Sequence, residues 1–198
     1  MSDLYLLIGG NQGDRLQLIH QATDLIRQRI GSVAAFSQLY ETAPWGTFSP
    51  GEKPQNFLNQ ALLVSTFLSP QQALTEALDI EKALGRIRPA SSSCMEPSSL
   101  YDMPSLDTSQ STTVSSNTPS PQPRLYSSRP IDIDLIFYGQ EVLNTPSLTL
   151  PHPRMHLRRF VLQPLCDIAP NFIHPIYKVT ISQLLNSCPD TSFCSCYC

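Results

Sequence analysis

Asp132 and Asp134, two residues apart in Ile131-Asp132-Ile133-Asp134-Leu135-Ile136-Phe137-Tyr138, are the clearest chemical signal in this chain. In an extended strand, side chains alternate between faces, so both carboxylates point one way while Ile131, Ile133 and Leu135 point the other. Like charges so close repel, and each is costly to desolvate, so a cation must meet them. Mg2+ shared with phosphate oxygens fits that demand, because it usually takes one or two carboxylates plus substrate phosphates. Arg129, three residues upstream, adds positive charge for the same phosphates. The pattern also fits an exposed edge strand carrying two solvated acids.

Other residues invite similar readings. Glu81 sits in the last turn of a predicted helix, where the macrodipole disfavours an acid. Such local conflicts tend to accompany function, although an exposed Glu is the ordinary alternative. Arg86 and Arg88 follow on one side of an extended Gly85-Arg86-Ile87-Arg88, as a phosphate clamp or as surface charge. Phe57 and Asn59 share one strand face after the loop Thr42-Ala43-Pro44-Trp45, pairing an aromatic plane with an amide. A flat heteroaromatic ligand with a polar edge would suit them, and so would a core Phe beside a turn-capping Asn. His152, His156, Arg158, Arg159 and Phe160 add a basic cluster and another aromatic, or a charged surface loop.

These side chains need elements to hold them. Leu4–Ile8 reads as a buried strand ending in a Gly9–Gly13 turn that needs positive φ angles. Asp14 opens a helix with apolar positions Leu18, Ile19, Ala22, Leu25 and Ile26, closed by Gly31. Val33–Tyr40 and Phe57–Phe67 read as strands around the Pro/Gly-rich loop 42–54. Ser69-Pro70-Gln71-Gln72 is a capped helix start, and that helix runs to about Leu84. Ile131–Tyr138 and Glu141–Leu143 are expected to form a hairpin around Gly139-Gln140. Phe160–Cys166 and Thr180–Leu185 read as short helices. The order βαββα, ββ, then helices predicts an α+β fold with helices on a mainly antiparallel sheet.

Composition bounds the rest. At 198 residues there is room for one sizeable core. A formal charge of −3 argues against general nucleic-acid binding. No apolar run approaches a membrane span, and the start lacks a signal-peptide pattern, so a cytoplasmic protein is expected. Residues 90–123 hold eleven Ser, four Thr and five Pro with no Lys or Arg. That composition buries too little apolar area to offset ordering entropy, so a disordered insertion is expected there, interrupting a single domain over 1–187. Four of the six cysteines crowd residues 188–198, which reads as a frayed tail with incidental thiols.

With these motifs in order, the chain resembles the 6-hydroxymethyl-7,8-dihydropterin pyrophosphokinase family, which moves a diphosphate from ATP to a pterin alcohol in folate synthesis. The resemblance rests on Gly-Asn-x-Gly-Asp at Gly10–Asp14, Tyr-x-Thr-x-Pro at Tyr40–Pro44 and Phe-Leu-Asn at Phe57–Asn59. It continues with Glu-x-x-x-Gly-Arg-x-Arg at Glu81–Arg88, Arg-x-x-Asp-x-Asp at Arg129–Asp134, Leu-x-x-Pro-His at Leu148–His152 and Arg-x-Phe at Arg158–Phe160. It departs from many members at Leu125-Tyr126-Ser127-Ser128, where they read Arg-Trp-Gly-Pro, and at Pro89 and Pro153.

The resemblance implies a ferredoxin-like fold and a set of roles. Asp132 and Asp134 would hold two Mg2+ ions. Arg86 and Arg129 would support transfer, while Glu81, Arg88, Leu135, Thr149, His152 and Arg158 would contact ATP. Phe57, Phe160 and Tyr126 would stack on the pterin, with Asn59 and the stretch Thr42, Ala43, Pro44 and Trp45 reading its edge. A stand-alone monomer without nucleic-acid or membrane partners is expected. Two other classes compete: a nucleotide-sugar transferase, which also uses Asp-x-Asp, and a pterin- or ATP-binding module weakened by the insertion. Neither sugar chemistry nor mere binding would release AMP in a pterin-dependent way.

Overall fold

The structure is a computed structural model that describes residues 1–44, 54–87 and 128–197. The insertion 90–123 and the site candidates Trp45, Arg88 and Tyr126 lie outside these residues.

β1 (Ser2–Gly10) alternates cleanly: Leu4, Leu6 and Ile8 enter one core, Tyr5 and Leu7 the other. Both faces are therefore covered, and its near-continuous apolar run follows from that position. α1 (Arg15–Arg29) starts where the Asp14 carboxylate accepts the Gln17 N–H at 3.0 Å. β2 (Gly31–Phe36) and β3 (Tyr40–Thr42) both pair with β4 (Phe57–Thr66), which pairs with β1 on its other side. α2 (Pro70–Ala83) has the expected Ser69/Gln72 capping box and Pro70 in its first turn. β5 (Asp132–Tyr138) then lies antiparallel to β1, with Leu7 opposite Asp134 and Gly9 opposite Asp132.

The resulting order β5-β1-β4, with β2 and β3 end to end beyond β4, is the ferredoxin-like arrangement. α1 and α2 cover one face through Ile19, Ala22, Ile26, Ala73, Ala77 and Ile80. α3 (Arg159–Ile168) and α4 (Ile181–Asn186) cover the other through Val161, Leu162, Leu165, Ile181 and Leu184. Among the described residues no helix is long and apolar enough to cross a membrane.

Four local expectations need correction. The strand expected over Val33–Tyr40 is broken at residues 37–39, because the Ser37 hydroxyl turns back to accept the Ala61 N–H at 3.0 Å. Gly31 does not close α1 in a left-handed cap; it opens β2, where a Cβ would stand 2.3 Å from the Ser65 carbonyl oxygen. Leu143 does not fold back on β5. The outer edge of β5 is met by the His152 N–H, donated to the Ile136 carbonyl at 3.0 Å, and β6 (Leu143–Asn144) pairs instead with β7 (Thr149–Leu150). Finally, residues 194–196 do not fray: β8 (Cys194–Cys196) pairs with β3 as an edge strand of the main sheet. Cys166, Cys188 and Cys194 form no disulfide among the described residues.

Candidate active site

The end of β5 nearest Asp132 opens into a cavity of about 180 Å3. Its floor is the sheet: Leu7 and Gly9 from β1, Phe57 and Asn59 from β4, and Asp132 and Asp134 from β5. Thr42 and Ala43 form one wall, Arg86 and Arg129 another, and His152, Arg154, Arg158 and Phe160 close the third. Sequence reasoning placed all of these except Leu7, Gly9 and Arg154 among its candidates or their motifs.

Close packing at two glycines makes room for the polar floor. A Cβ on Gly9 would stand 2.1 Å from Asn59 Oδ1, so the Asn59 amide lies directly over the Gly9 backbone. A Cβ on Gly10 would stand 2.1 Å from the Pro130 carbonyl oxygen, where the chain enters β5. Asn59 is buried and donates its Nδ2–H to the Thr42 hydroxyl at 2.8 Å, which locks the amide in one orientation.

The charges are arranged around Asp132. Its Oδ1 accepts from Arg86 Nη1, and its Oδ2 lies 3.2 Å from Arg129 Nη1. Burial opposes ionisation of Asp132, but Arg129 and Arg86 prevail and hold its carboxyl below the usual range. Asp134 goes the other way: burial, reinforced by the charge of Asp132, pushes it up to about 7 despite Arg158 and Arg129. The pair is thus one carboxylate with arginine partners and one short of positive charge. His152 is held neutral, its value lowered to about 3 by burial and by Arg158 and Arg154, and its Nδ1 accepts the Arg154 N–H at 3.3 Å.

Glu81 explains its odd place in α2. It is 1% exposed, and its Oε1 accepts both the Ile133 N–H at 2.8 Å and a hydrogen bond from Arg86 Nη1. It joins α2 to β5 and aims Arg86 at Asp132. The expected nucleotide contact has no counterpart in the cavity lining, which also omits Pro44, Leu135 and Thr149. Leu135 faces the α1–α2 core, as a strand alternation starting with Asp134 toward the cavity requires.

Asn11 went unassigned in the sequence. It is buried, accepts the Arg129 N–H at 2.8 Å, and donates to the Ser128 hydroxyl at 3.1 Å and the Gln55 carbonyl at 3.3 Å. It therefore fixes both chain segments that deliver Phe57 and Arg129. The only available signal was its position in the Gly10–Asp14 turn.

Two aromatics face this charged floor from different elements, each with a guanidinium over its ring. Arg129 Cζ is 5.7 Å from the Phe57 centroid and Arg158 Cζ 5.6 Å from that of Phe160.

A model of the 7,8-dihydro-6-hydroxymethylpterin-pyrophosphokinase (HPPK) family matches residues 5–103 and 105–170. The chain belongs to the HPPK family. It is 32% identical over 176 residues to the 2-amino-4-hydroxy-6-hydroxymethyldihydropteridine pyrophosphokinase of Porphyromonas gingivalis, covering 88% of this chain and 95% of that one. The corresponding enzyme of Aquifex aeolicus is 30% identical over 183 residues, covering 92% and 90%. Among solved structures, a Plasmodium falciparum HPPK-DHPS chain superimposes with a TM-score of 0.61 at 15% identity, over 94% of this chain and 43% of that one. The fold is that of an HPPK domain, and the chain spans less than half of that longer protein. HPPK enzymes are ATP-dependent diphosphokinases of folate synthesis, and this chain is one of them by family.

Proposed function

We propose that the cavity above Asp132 and Asp134 carries out the HPPK reaction, transferring diphosphate from ATP to the hydroxymethyl oxygen of 6-hydroxymethyl-7,8-dihydropterin. The observation that supports it most is the convergence of paired carboxylates, arginines and two aromatics on one cavity. Phe57 and Phe160 supply apolar faces for a flat ring. Asn59, held beside Thr42 and Ala43, supplies an amide along its edge. Arg86, Arg129 and Arg158 supply guanidinium N–H groups to phosphate oxygens, and a preorganised donor is worth most where water is excluded.

The donor set fits Mg2+. Asp132 and Asp134 are hard oxygen ligands on one strand face, and Asp134 lacks the cationic compensation that Asp132 has. Among the described residues no group of three or more His, Cys, Asp or Glu gathers at one point, which suits a metal whose remaining ligands are phosphate and water. Two ions held by these aspartates would neutralise phosphate charge during transfer. The chain's own residues orient the reactants: the aromatics and Asn59 hold the pterin so that its hydroxymethyl oxygen faces the β-phosphorus. The new O–P bond forms as the bond to the α-phosphate oxygen breaks, and AMP carries away that electron pair. Arg86, aimed by Glu81 at the Asp132 end of the cavity, would donate to the transferring group.

Monomeric action in the cytoplasm belongs to the same proposal, and light scattering checks the first part. Phe57→Ala and Phe160→Ala test the pocket assignment. Each is expected to raise KM for the pterin about tenfold or more with little change in KM for ATP, the product remaining AMP. An unchanged pterin KM in both variants would remove the aromatics from the site.

A further inference from the structure

The C-terminal segment links the two walls between which the pterin would lie. One wall is the end of β3, Thr42 and Ala43; the other is the first turn of α3, which carries Phe160. α3 is anchored at its far end, where the Asp167 carboxylate accepts from the Tyr40 hydroxyl at 3.0 Å and from the Gln38 N–H at 3.1 Å. At its near end the capping residue is Arg158, whose side chain makes no bond to the first-turn N–H groups. Val161, Leu162 and Leu165 hold α3 against the core, but the open N–H groups of its first turn still need an acceptor.

Asp190 supplies the missing tie. Its Oδ2 accepts the Arg159 N–H at 2.9 Å, satisfying one open donor of the first turn and placing negative charge at the positive end of the helix. Its Oδ1 accepts from the Ser192 N–H at 3.0 Å and from the Ser192 hydroxyl, which fixes the turn that follows. Three residues after Asp190, the Phe193 carbonyl accepts the Ala43 N–H at 3.0 Å. β8 then continues along β3, with Cys194 opposite Thr42 and Cys196 opposite Tyr40. Tyr197 donates its N–H to Leu39 at 2.8 Å, and its ring lies 5.9 Å from Arg15 Cζ. Arg15 in turn bonds Glu41 of β3 and the Asn56 carbonyl beside Phe57, each at 2.8 Å. This segment lies beyond residue 170, where the family match ends.

We propose that residues 190–197 form a strap that sets the separation between Ala43 and Phe160, making Asp190 a positioning residue for pterin affinity. The inference rests on the pterin reading of this cavity. The step of three residues from Asp190 to Phe193 transmits a lost tie directly to the gap. Of the proposed nucleotide contacts, Arg86, Arg129 and His152 lie on segments with no bond to the strap among the described residues, whereas Arg158 neighbours Arg159 and would feel a lost tie weakly.

Steady-state kinetics of Asp190→Ala and Asp190→Asn, alongside the intact chain, test it. Asp190→Ala is expected to raise KM for the pterin about tenfold, leave KM for ATP within about threefold and change kcat less than the pterin KM. Asp190→Asn keeps one acceptor oxygen and should fall between Ala and the intact protein. A pterin KM unchanged in Asp190→Ala overturns the strap, as does a parallel loss of affinity for both substrates. Pterin-dependent turnover by the intact chain checks the underlying reading separately: its absence would sink that reading, whereas an indifferent Asp190→Ala sinks the strap alone.

Discussion

Asp132 and Asp134 lie two residues apart on one strand, yet their titrations are driven in opposite directions, and that difference has energetic consequences. Asp134 binds its proton more tightly folded than unfolded, since about 7 is well above the ordinary value near 4. Its contribution to stability is therefore lost as pH rises from about 4 to about 7, where the folded form still holds a proton that the unfolded form has released. Without metal, Asp134→Asn should be more stable than wild type at pH 8, on the order of 1–3 kcal/mol, with the advantage shrinking toward pH 4. The same variant should lose at least a hundredfold in turnover. Thermal melts across pH with chelator present, paired with an activity assay, check both, and equal stability at pH 8 would contradict the charge account. Glu81→Ala should behave differently. It leaves the buried Ile133 N–H without an acceptor and Arg86 with Asp132 alone, so a loss of about 3 kcal/mol in chemical denaturation is expected, together with reduced turnover. Asp132, Asp134, Phe57 and Asn59 were legible because an i, i+2 strand pattern reveals shared faces in the sequence alone, whereas the roles of Thr42, His152 and Arg158 came only with the family motifs. Asn11 was not legible, because its partners Gln55, Ser128 and Arg129 lie 44 to 118 residues away, and no local pattern encodes such a meeting.

Elements bring these residues together, and the closest approaches between elements are where substitutions should tell. Gly10→Ala would force β1 from the Pro130 carbonyl and so displace Arg129 relative to Asp132. Misplacement of a reactive group by about 1 Å can cost roughly a hundredfold in rate, so kcat should fall by about that factor while circular dichroism stays near native. A normal kcat would show that β1 and the entry to β5 separate without consequence. Helix starts were legible in detail at Asp14 and Ser69, since a capping side chain and its target lie within three residues. Strand pairing was less so. Phe36 and Tyr40 carry no mark of the break between them, which depends on the Ser37 hydroxyl reaching Ala61 on β4. The hairpin expected after β5 failed for a related reason: a turn signal at Gly139-Gln140 says that the chain reverses, not which edge it returns to. β8 was illegible because a three-residue strand is too short for alternation to mark it, and backbone pairing places it.

At the scale of the whole molecule, the ferredoxin-like sheet presents its two cores on opposite faces and its polar cavity at one end of β1, β4 and β5. The element order was enough to predict an antiparallel sheet under helices; that helices cover both faces follows from β1, whose residues from Leu4 to Gly10 are all buried. Ligands that bind only this assembled cavity should stabilise the whole domain. ATP with Mg2+ at about 100 times its dissociation constant should add about 2.7 kcal/mol, a melting shift of several degrees, and ATP with chelator should add much less. The reaction itself is followed most directly by 31P NMR of the intact protein with ATP, Mg2+ and 6-hydroxymethyl-7,8-dihydropterin. The β- and γ-phosphorus signals should leave ATP together and reappear as a pterin diphosphate while the α-phosphorus becomes AMP, with no change when the pterin is withheld. Loss of the γ-phosphorus alone, giving ADP, or AMP release that does not depend on the pterin, would contradict the account.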